Sequence, residues 1–352
     1  MMTVYRWECA AAGCSRVPSD RLPATAADLP ADDVVWIDLA DPTPDEERLV
    51  FERFLKVHPL TLADATKARR EPEQGAHFPK VEEFPDYLLV IVNPLPAGLA
   101  EFVAGKAKPP AGGGPTPATA LGRRHRPQLS AVLTKNVLVT HHYQAVGCVG
   151  VVAGHLDRHG QAAARGPDYL FHLILDAMVD ESAPVVDHVS TRLDRLEGRI
   201  FRDPSPRVLA RMVGLKRLVT GMRKTLVLER EVLARLMRGE FELVEAREIA
   251  YYRNVYDHLV RYTELIESAR EMVSDLMQIH LSAASNRLNQ VMKLLAMIST
   301  VILPMSLVSG IYGMNFEFMP ELKWQYGYPL ALGLMAVIGV GAYILFRWKR
   351  WV

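Results

Sequence analysis

The sequence predicts an α/β domain, a long all-α stalk and two C-terminal transmembrane helices. Three observations carry that reading. Short apolar, β-branched runs alternate with helical pattern over the first 165 residues. From Tyr169 to Gly310 proline and glycine are scarce and apolar residues recur at three-to-four spacing. Finally, Val291 to Ile311 (VMKLLAMISTVILPMSLVSGI) has no acid and only Lys293 at its start, and Tyr328 to Phe346 (YPLALGLMAVIGVGAYILF) has no charge. Each is close to the ~20 apolar residues needed to cross a lipid bilayer.

Composition sets the boundaries of function. With 41 basic and 40 acidic side chains the net charge is +1, which gives no overall bias toward polyanions and no case for a nucleic-acid partner. Three cysteines (Cys9, Cys14, Cys148) are an odd number in a long chain; they point to a reducing compartment without a disulfide framework. Cys9 and Cys14 lack CxxC spacing. The N-terminal MMTVYRWECAAAGCSR holds Glu8 and no apolar run, so it does not read as a signal peptide. Arg347, Lys349 and Arg350, interleaved with Trp348 and Trp351, follow the second span. The loop 313–327 carries Glu317, Glu321 and Lys323. Positive flanks stay inside, so both termini are expected in the cytoplasm, with the loop outside a cell (inner) membrane.

In chain order, residues 34–39 (VVWIDL) read as a strand and Pro42 to Phe54 as a helix with acids in its first turn. His58 to Asp64 is a second helical piece, with His58 as a cap or packing residue. Lys80 to Glu83 leads into the buried strand Tyr87 to Val92. Residues 103–127, rich in Ala, Pro and Gly, read as a flexible insertion, without the strand–Gly–helix context of a phosphate loop. Strands resume at Leu129 to Leu133 and Asn136 to His141. His141 and His142 end a strand, whose alternate residues point opposite ways, and no triad at ligand spacing accompanies them. Residues 1–165 thus form the α/β domain and 166–244 a helical hairpin region. Helix 245–311 continues from stalk into first span; 312–327 is the external loop, 328–347 the second span and 348–352 the basic tail.

The long helices break at Asp203-Pro204-Ser205-Pro206 and near Gly239. Val255, Leu259, Tyr262, Ile266, Ala269, Val273 and Leu276 then step by alternating fours and threes, the seam of helices packed along their length in an oligomer or a hairpin, and compatible also with a long amphipathic helix on its own domain. Past Leu276 the stripe turns polar (His280, Ser282, Ser285, Asn286, Asn289) without a helix breaker. Asn289, Leu295-Ala296, Thr300, Leu303, Ser306 and Gly310 fall near one face, and Pro304 deprives the Thr300 carbonyl of its helical donor. Such a face suits close packing around an axis, and a freed carbonyl in a membrane persists beside water or another polar partner. Helix packing alone accounts for the same residues. Two spans cannot enclose a polar path, so any such path takes several copies.

Tyr312-Gly313-Met314-Asn315, followed by Phe316-Glu317 and Met319-Pro320-Glu321-Leu322, resembles the signature of the CorA family of magnesium channels. The resemblance extends back through Ser285 to Leu295 and forward to Trp324, Tyr326 to Pro329 and the basic C-terminus. Weaker echoes lie at Trp36-Ile37-Asp38, His58-Pro59-Leu60, Pro79 to Glu82 and Tyr252 to His258. It implies a funnel-shaped homopentamer that conducts hydrated divalent cations inward, Mg²⁺ with Co²⁺ and Ni²⁺ besides. By resemblance Gly313, Met314 and Asn315 form the outer mouth and Glu317 and Glu321 an external acidic ring. Asn289, Thr300, Ser306 and Gly310 line the pore, and Met292, Leu295 and Leu303 form its hydrophobic gate. Mg²⁺ keeps its waters reluctantly exchanged, so neutral amide oxygens at a mouth suit it.

Departures from the family are few. Ser306 stands for threonine and Ala296 for a hydroxyl residue. The family closes when Mg²⁺ bridges acids between neighbouring cytoplasmic domains; here Asn254 and Gln278 replace expected acids, which leaves Asp257 as the candidate regulatory ligand. Two rivals are a Zn²⁺ transporter of the sister branch, which also carries Gly-Met-Asn, and a membrane-anchored α/β sensor or enzyme. No nucleophile–base pair, paired carboxylates or nucleotide fingerprint supports the enzyme.

Overall fold

A computed structural model describes residues 1–8, 13–18, 22–106, 121, 126–200, 205–315, 319 and 324–351, with the side chains of Gly13 and Cys14 excepted. The chain divides into two compact units, Met1–Arg199 with Ser205–Met277, and Ile200–Pro204 with Gln278–Val352.

The first unit is built on a seven-stranded mixed sheet. Its strands are β1 (Met2–Glu8), β2 (Gly13–Val17), β3 (Val34–Ala40), β4 (Lys80–Glu83), β5 (Leu88–Val92), β6 (Leu129–Leu133) and β7 (Val137–His142). They lie in the order β2-β1-β3-β7-β6-β5-β4. Only β3 and β7 pair in parallel, with Val35 opposite Val137; the other pairs are antiparallel. β5, β6 and β7 are buried along their whole length, as apolar, β-branched runs covered on both faces must be. On one face Val35, Ile37, Leu39, Val137 and Val139 pack with Phe51 and Phe54. Those two aromatics come from the π-helical Arg48–Phe54, which continues helix α1 (Pro44–Glu47), itself capped by the Thr43 side chain. The other face takes α6 (Pro167–Asp180), against β3, β6 and β7.

Smaller helices fill the connections: α2 (Pro59–Ala65), α3 (Lys67–Arg70), α4 (Leu99–Ala104) and α5 (Gly147–Leu156). The His58 imidazole accepts from the Leu60 N–H at 3.2 Å, capping α2. The stretch read as a flexible insertion from 103 needs correction at its ends. Val103 is a buried residue of α4, and Leu121 and Arg126 are buried as well; residues 107–120 and 122–125 lie outside the described residues. β1, β2 and α5 were not read from the sequence. In β1, Arg6 and Glu8 interrupt the apolar run, and Arg6 turns its guanidinium onto Asp33 at 2.8 Å.

The helical part of this unit comprises α7 (Ser182–Ile200), which α6 meets at Glu181, and α8 (Pro206–Leu236). Gly239, at φ +68, turns the chain after α8, a conformation that glycine adopts without a Cβ clash. Next comes α9 (Ile249–Tyr312), unbroken by Pro304. Its first turn is tied to the start of α6. The Asp168 carboxylate accepts the Tyr169 and Glu245 N–H groups, the Tyr252 hydroxyl donates to the Asp168 carbonyl, and Arg165 grips the buried Glu248 at 2.8 and 2.9 Å. Val255, Leu259, Ile266, Ala269, Val273 and Leu276 are buried within the one chain, whereas Tyr262, read as part of the seam, is only half-buried and the neighbouring Thr263 is buried in its stead. The heptad seam therefore serves packing within the chain rather than between copies.

In the second unit, the later part of α9 is mostly exposed and α10 (Gly327–Trp348) is the other long apolar helix. Both are long and apolar enough to cross a membrane.

Candidate functional site

The phase of α9 beyond His280 separates two faces. Ala283, Lys293, Met297, Val301, Pro304, Met305, Val308 and Tyr312 are the half-buried positions. A Cβ added to Gly339 of α10 would lie 2.9 Å from the Met305 Cε, and the Lys293 ammonium stands 5.6 Å over the Trp351 ring. This face is therefore turned to α10 and the C-terminal tail. At about 100° per residue, Asn289, Met292, Leu295, Leu303, Ser306 and Gly310 centre roughly 150° away. All six are exposed in the single chain. The structure thus leaves uncovered, on one side, the residues the sequence singled out.

The same phase corrects the emphasis among the polar residues. Thr300 sits at the edge of this stripe, and its hydroxyl donates back to the Ala296 carbonyl at 2.7 Å. Ser299, missed from the sequence, falls at the centre of the stripe between Leu295 and Leu303 and is exposed. Counting in steps of three and four from Met292 finds it; the hydropathy of the surrounding run hid it.

At the end of α9 the Gly313 N–H donates to the Ser309 and Gly310 carbonyls at 3.0 and 3.2 Å. A Cβ at Gly313 would come within 3.2 Å of the Ser309 oxygen, so a side chain there crowds the closing turn. Met314 and Asn315 follow, both exposed. Ser309, Tyr312 and Gly313 border a cavity of about 410 Å³ with Trp324, Tyr328 and Met335. Glu317 and Glu321, the expected acidic ring, lie outside the described residues.

A second constellation lies in the first unit. Asp176 and Asp180, one turn apart on α6, meet His258 of α9 with ligand atoms all within 4.8 Å of one another. The His258 Nδ1 is 3.9 Å from Asp180 Oδ1. Burial, and then the neighbouring Asp180 charge, hold the Asp176 carboxyl above its usual range. A bound cation would relieve that repulsion. Beside it, burial pushes the Glu181 carboxyl up to about 7. Two carboxylates and an imidazole suit Co²⁺ or Ni²⁺ better than Mg²⁺, which takes oxygen ligands. Asp257, singled out from the sequence, is exposed and outside this cluster. The cluster was not legible because its ligands sit on helices about eighty residues apart in the chain.

His141 and His142 each take a carboxylate from elsewhere in the fold. His141 Nε2 is 3.1 Å from Glu47 Oε1, which also accepts from the Tyr143 hydroxyl at 2.7 Å. His142 Nε2 is 3.3 Å from Asp38 Oδ1. The first pair is buried against Phe51. Among the described residues, neither histidine joins a group able to hold a metal.

Comparison with known proteins bears on this geometry. The profile of the CorA-like Mg²⁺ transporter protein family matches residues 115–350. The chain is 33% identical over 301 residues to the cobalt/magnesium transport protein CorA of Thermotoga maritima, covering 85% of this chain and 78% of that one. It is 28% identical over 316 residues to the putative metal ion transporter YfjQ of Bacillus subtilis, covering 90% and 89%. Among solved structures, the complete CorA magnesium transporter from Methanocaldococcus jannaschii superposes with a TM-score of 0.73 at 20% identity, over 99% of this chain and 97% of that one.

Proposed function

The chain belongs to the family of CorA-like Mg²⁺ transporters, and from that premise we propose that it conducts Mg²⁺, and Co²⁺ with it, into the cell through a pore built from five copies. It is a transporter rather than an enzyme. The observation that carries the reading is the uncovered face of α9: Asn289, Ser299, Ser306 and Gly310 run along it to Gly313-Met314-Asn315. A single copy leaves that polar-and-small stripe facing nothing, and a membrane tolerates such groups beside water or a partner. Copies arranged about an axis would turn the stripes inward. Asn315 amide oxygens would then receive the hydrated ion, with Met314 beside them at the mouth. Met292, Leu295 and Leu303 would form the constriction that opens on wetting. The membrane potential drives a divalent ion inward by about 4.6 kcal/mol per 100 mV, twice the single-charge value. Lys293 standing over Trp351 supports having the start of the first span and the C-terminal tail on the same, cytoplasmic side.

The test is uptake into liposomes holding the purified chain under an inside-negative potential, with Mg²⁺, Co²⁺, Ni²⁺ and Zn²⁺ in parallel. Mg²⁺ and Co²⁺ uptake, lost in Asn315→Ala, is the expected result. Uptake of Zn²⁺ alone, driven by a proton gradient, would move the protein to the zinc-transporting branch, and no uptake of any ion would remove the proposal. For regulation, the Asp176–Asp180–His258 cluster replaces Asp257 as the candidate ligand set. Asp180→Asn is expected to raise several-fold the internal Co²⁺ needed to close the pore; unchanged closure would discard the cluster.

A further inference from the structure

The first unit carries a cleft whose charge the transport reading does not use. From Pro206 to Leu228, α8 holds Arg207, Arg211, Lys216, Arg217, Arg223 and Lys224 and no acid; Glu229 is the first. A chain with a net charge of +1 has thus gathered six cations on one stretch of helix. Lys216, Thr220, Arg223 and Lys224 share a face at steps of four, three and one, and that face opens on Arg270 and Ser274 of α9. Together they border a cleft of about 560 Å³, floored by Val227 and Leu228.

The placement of the charges favours an anion. Among the described residues, no carboxylate lines the cleft. Glu267 pairs with Arg223, whose Nε donates to it at 2.6 Å, so the uncompensated charge of the cleft rests on Lys216, Lys224 and Arg270. Glu271 reaches Arg270 only at 3.9 Å. The Lys224 ammonium stands 4.8 Å over the Phe78 ring, which orients it without neutralising it. Lys216 has no ion-pair partner among the described residues. Like charges gathered in a cleft with low-dielectric walls focus a positive potential. The Thr220 hydroxyl adds a donor of the kind that phosphate oxygens accept, whereas the Ser274 hydroxyl donates to the Arg270 carbonyl at 3.1 Å. The volume lies within the range of small-molecule sites, and the apolar floor offers a surface for a flat ring.

We propose that this cleft binds a nucleoside triphosphate in its Mg²⁺-free form. The uncomplexed triphosphate carries the most negative charge and leaves its outer oxygens bare. The Mg²⁺ complex hides both, and the cleft has no carboxylate to hold the metal. Because free nucleotide rises as Mg²⁺ falls, the cleft would report Mg²⁺ scarcity; that consequence rests on the Mg²⁺-transport reading, whereas the binding does not.

The experiment is calorimetric titration of the full-length protein in neutral-lipid nanodiscs with ATP and with tripolyphosphate, without Mg²⁺. Both should bind, and more weakly as salt is raised from about 0.05 to about 0.5 M. Excess Mg²⁺ should weaken ATP binding. Lys216→Gln and Lys224→Gln should each weaken it roughly tenfold, the loss of one charge-assisted hydrogen bond. Arg238→Gln, beyond the end of α8, should leave it unchanged. No binding, equal binding in the double lysine variant, or equal binding of the Mg²⁺ complex would overturn the proposal. Binding abolished by anionic lipid would assign the cleft to a lipid phosphate instead and overturn the nucleotide. Ion uptake is measured separately, so binding without uptake removes only the link to Mg²⁺, and uptake without binding removes only this site.

Discussion

A single buried carboxyl carries a pH dependence through the soluble part of the chain. Glu229 is 4% exposed and accepts the Asn93 N–H at 3.1 Å. Burial pushes its carboxyl up to about 8, against the pull of that N–H and of the Arg126 charge. A folded-state value raised above the unfolded 4.5 means that the folded chain holds the extra proton. The associated stability is present below about pH 4.5 and is lost as pH rises toward 8. Glu229→Gln, which keeps the shape and removes the charge, should therefore melt increasingly above the parent as pH goes from about 5 to about 8. A constant gap in melting temperature across that range would refute the assignment. In the membrane part the informative residue is Ser299. Ser299→Leu adds bulk at the centre of the uncovered stripe and should cut Mg²⁺ uptake at least tenfold, whereas Ser299→Ala should change it little. Equal uptake in both would show that the stripe centre is elsewhere. Ser299 was readable in principle from helical phase. Asp176, Asp180 and His258 were not, because only the packing of α6 on α9 brings them together.

At the scale of elements, one helix changes its partner along its length. Through Leu276 the apolar seam of α9, Tyr262 excepted, is buried inside the chain; beyond His280 the helix is largely exposed. Ile266, fully buried in the seam, tests the first part. Ile266→Ala should cost about 2–5 kcal/mol, the range for truncating a core aliphatic, read by chemical denaturation of the purified protein. A loss below about 1 kcal/mol would mean that the seam is not a packed core there. The seam's spacing was plain in the sequence, but spacing alone cannot tell an intrachain partner from a second copy. The strands β3, β5, β6 and β7 were legible for a related reason. Strands covered on both faces favour apolar runs; β5 is one throughout, and β3, β6 and β7 are interrupted only at Asp38, at Ser130 and at the Thr140-His141-His142 end. β1 and β2 sit toward the sheet edge, where half-buried positions admit Arg6 and Glu8 and an exposed one admits Arg16, and that mixture blurs the period of two.

At the scale of the whole molecule, two sets of residues are left for partners other than the chain itself. One is the uncovered stripe of the first span, which a single copy cannot bury or wet. The other is the cationic cleft between α8 and α9, open to solutes. The pore account makes the stripe the path and the opposite face of the helix a packing surface against α10. The most direct measurement substitutes single cysteines along residues 289–312 in a chain whose Cys9, Cys14 and Cys148 have been replaced. A membrane-impermeant thiol reagent is then applied during Mg²⁺ uptake into liposomes. The account predicts block at positions 299, 303, 306 and 310, with Mg²⁺ slowing the reaction, and no block at 297, 301, 305 and 308. Block confined to the second set, or to neither, would contradict it.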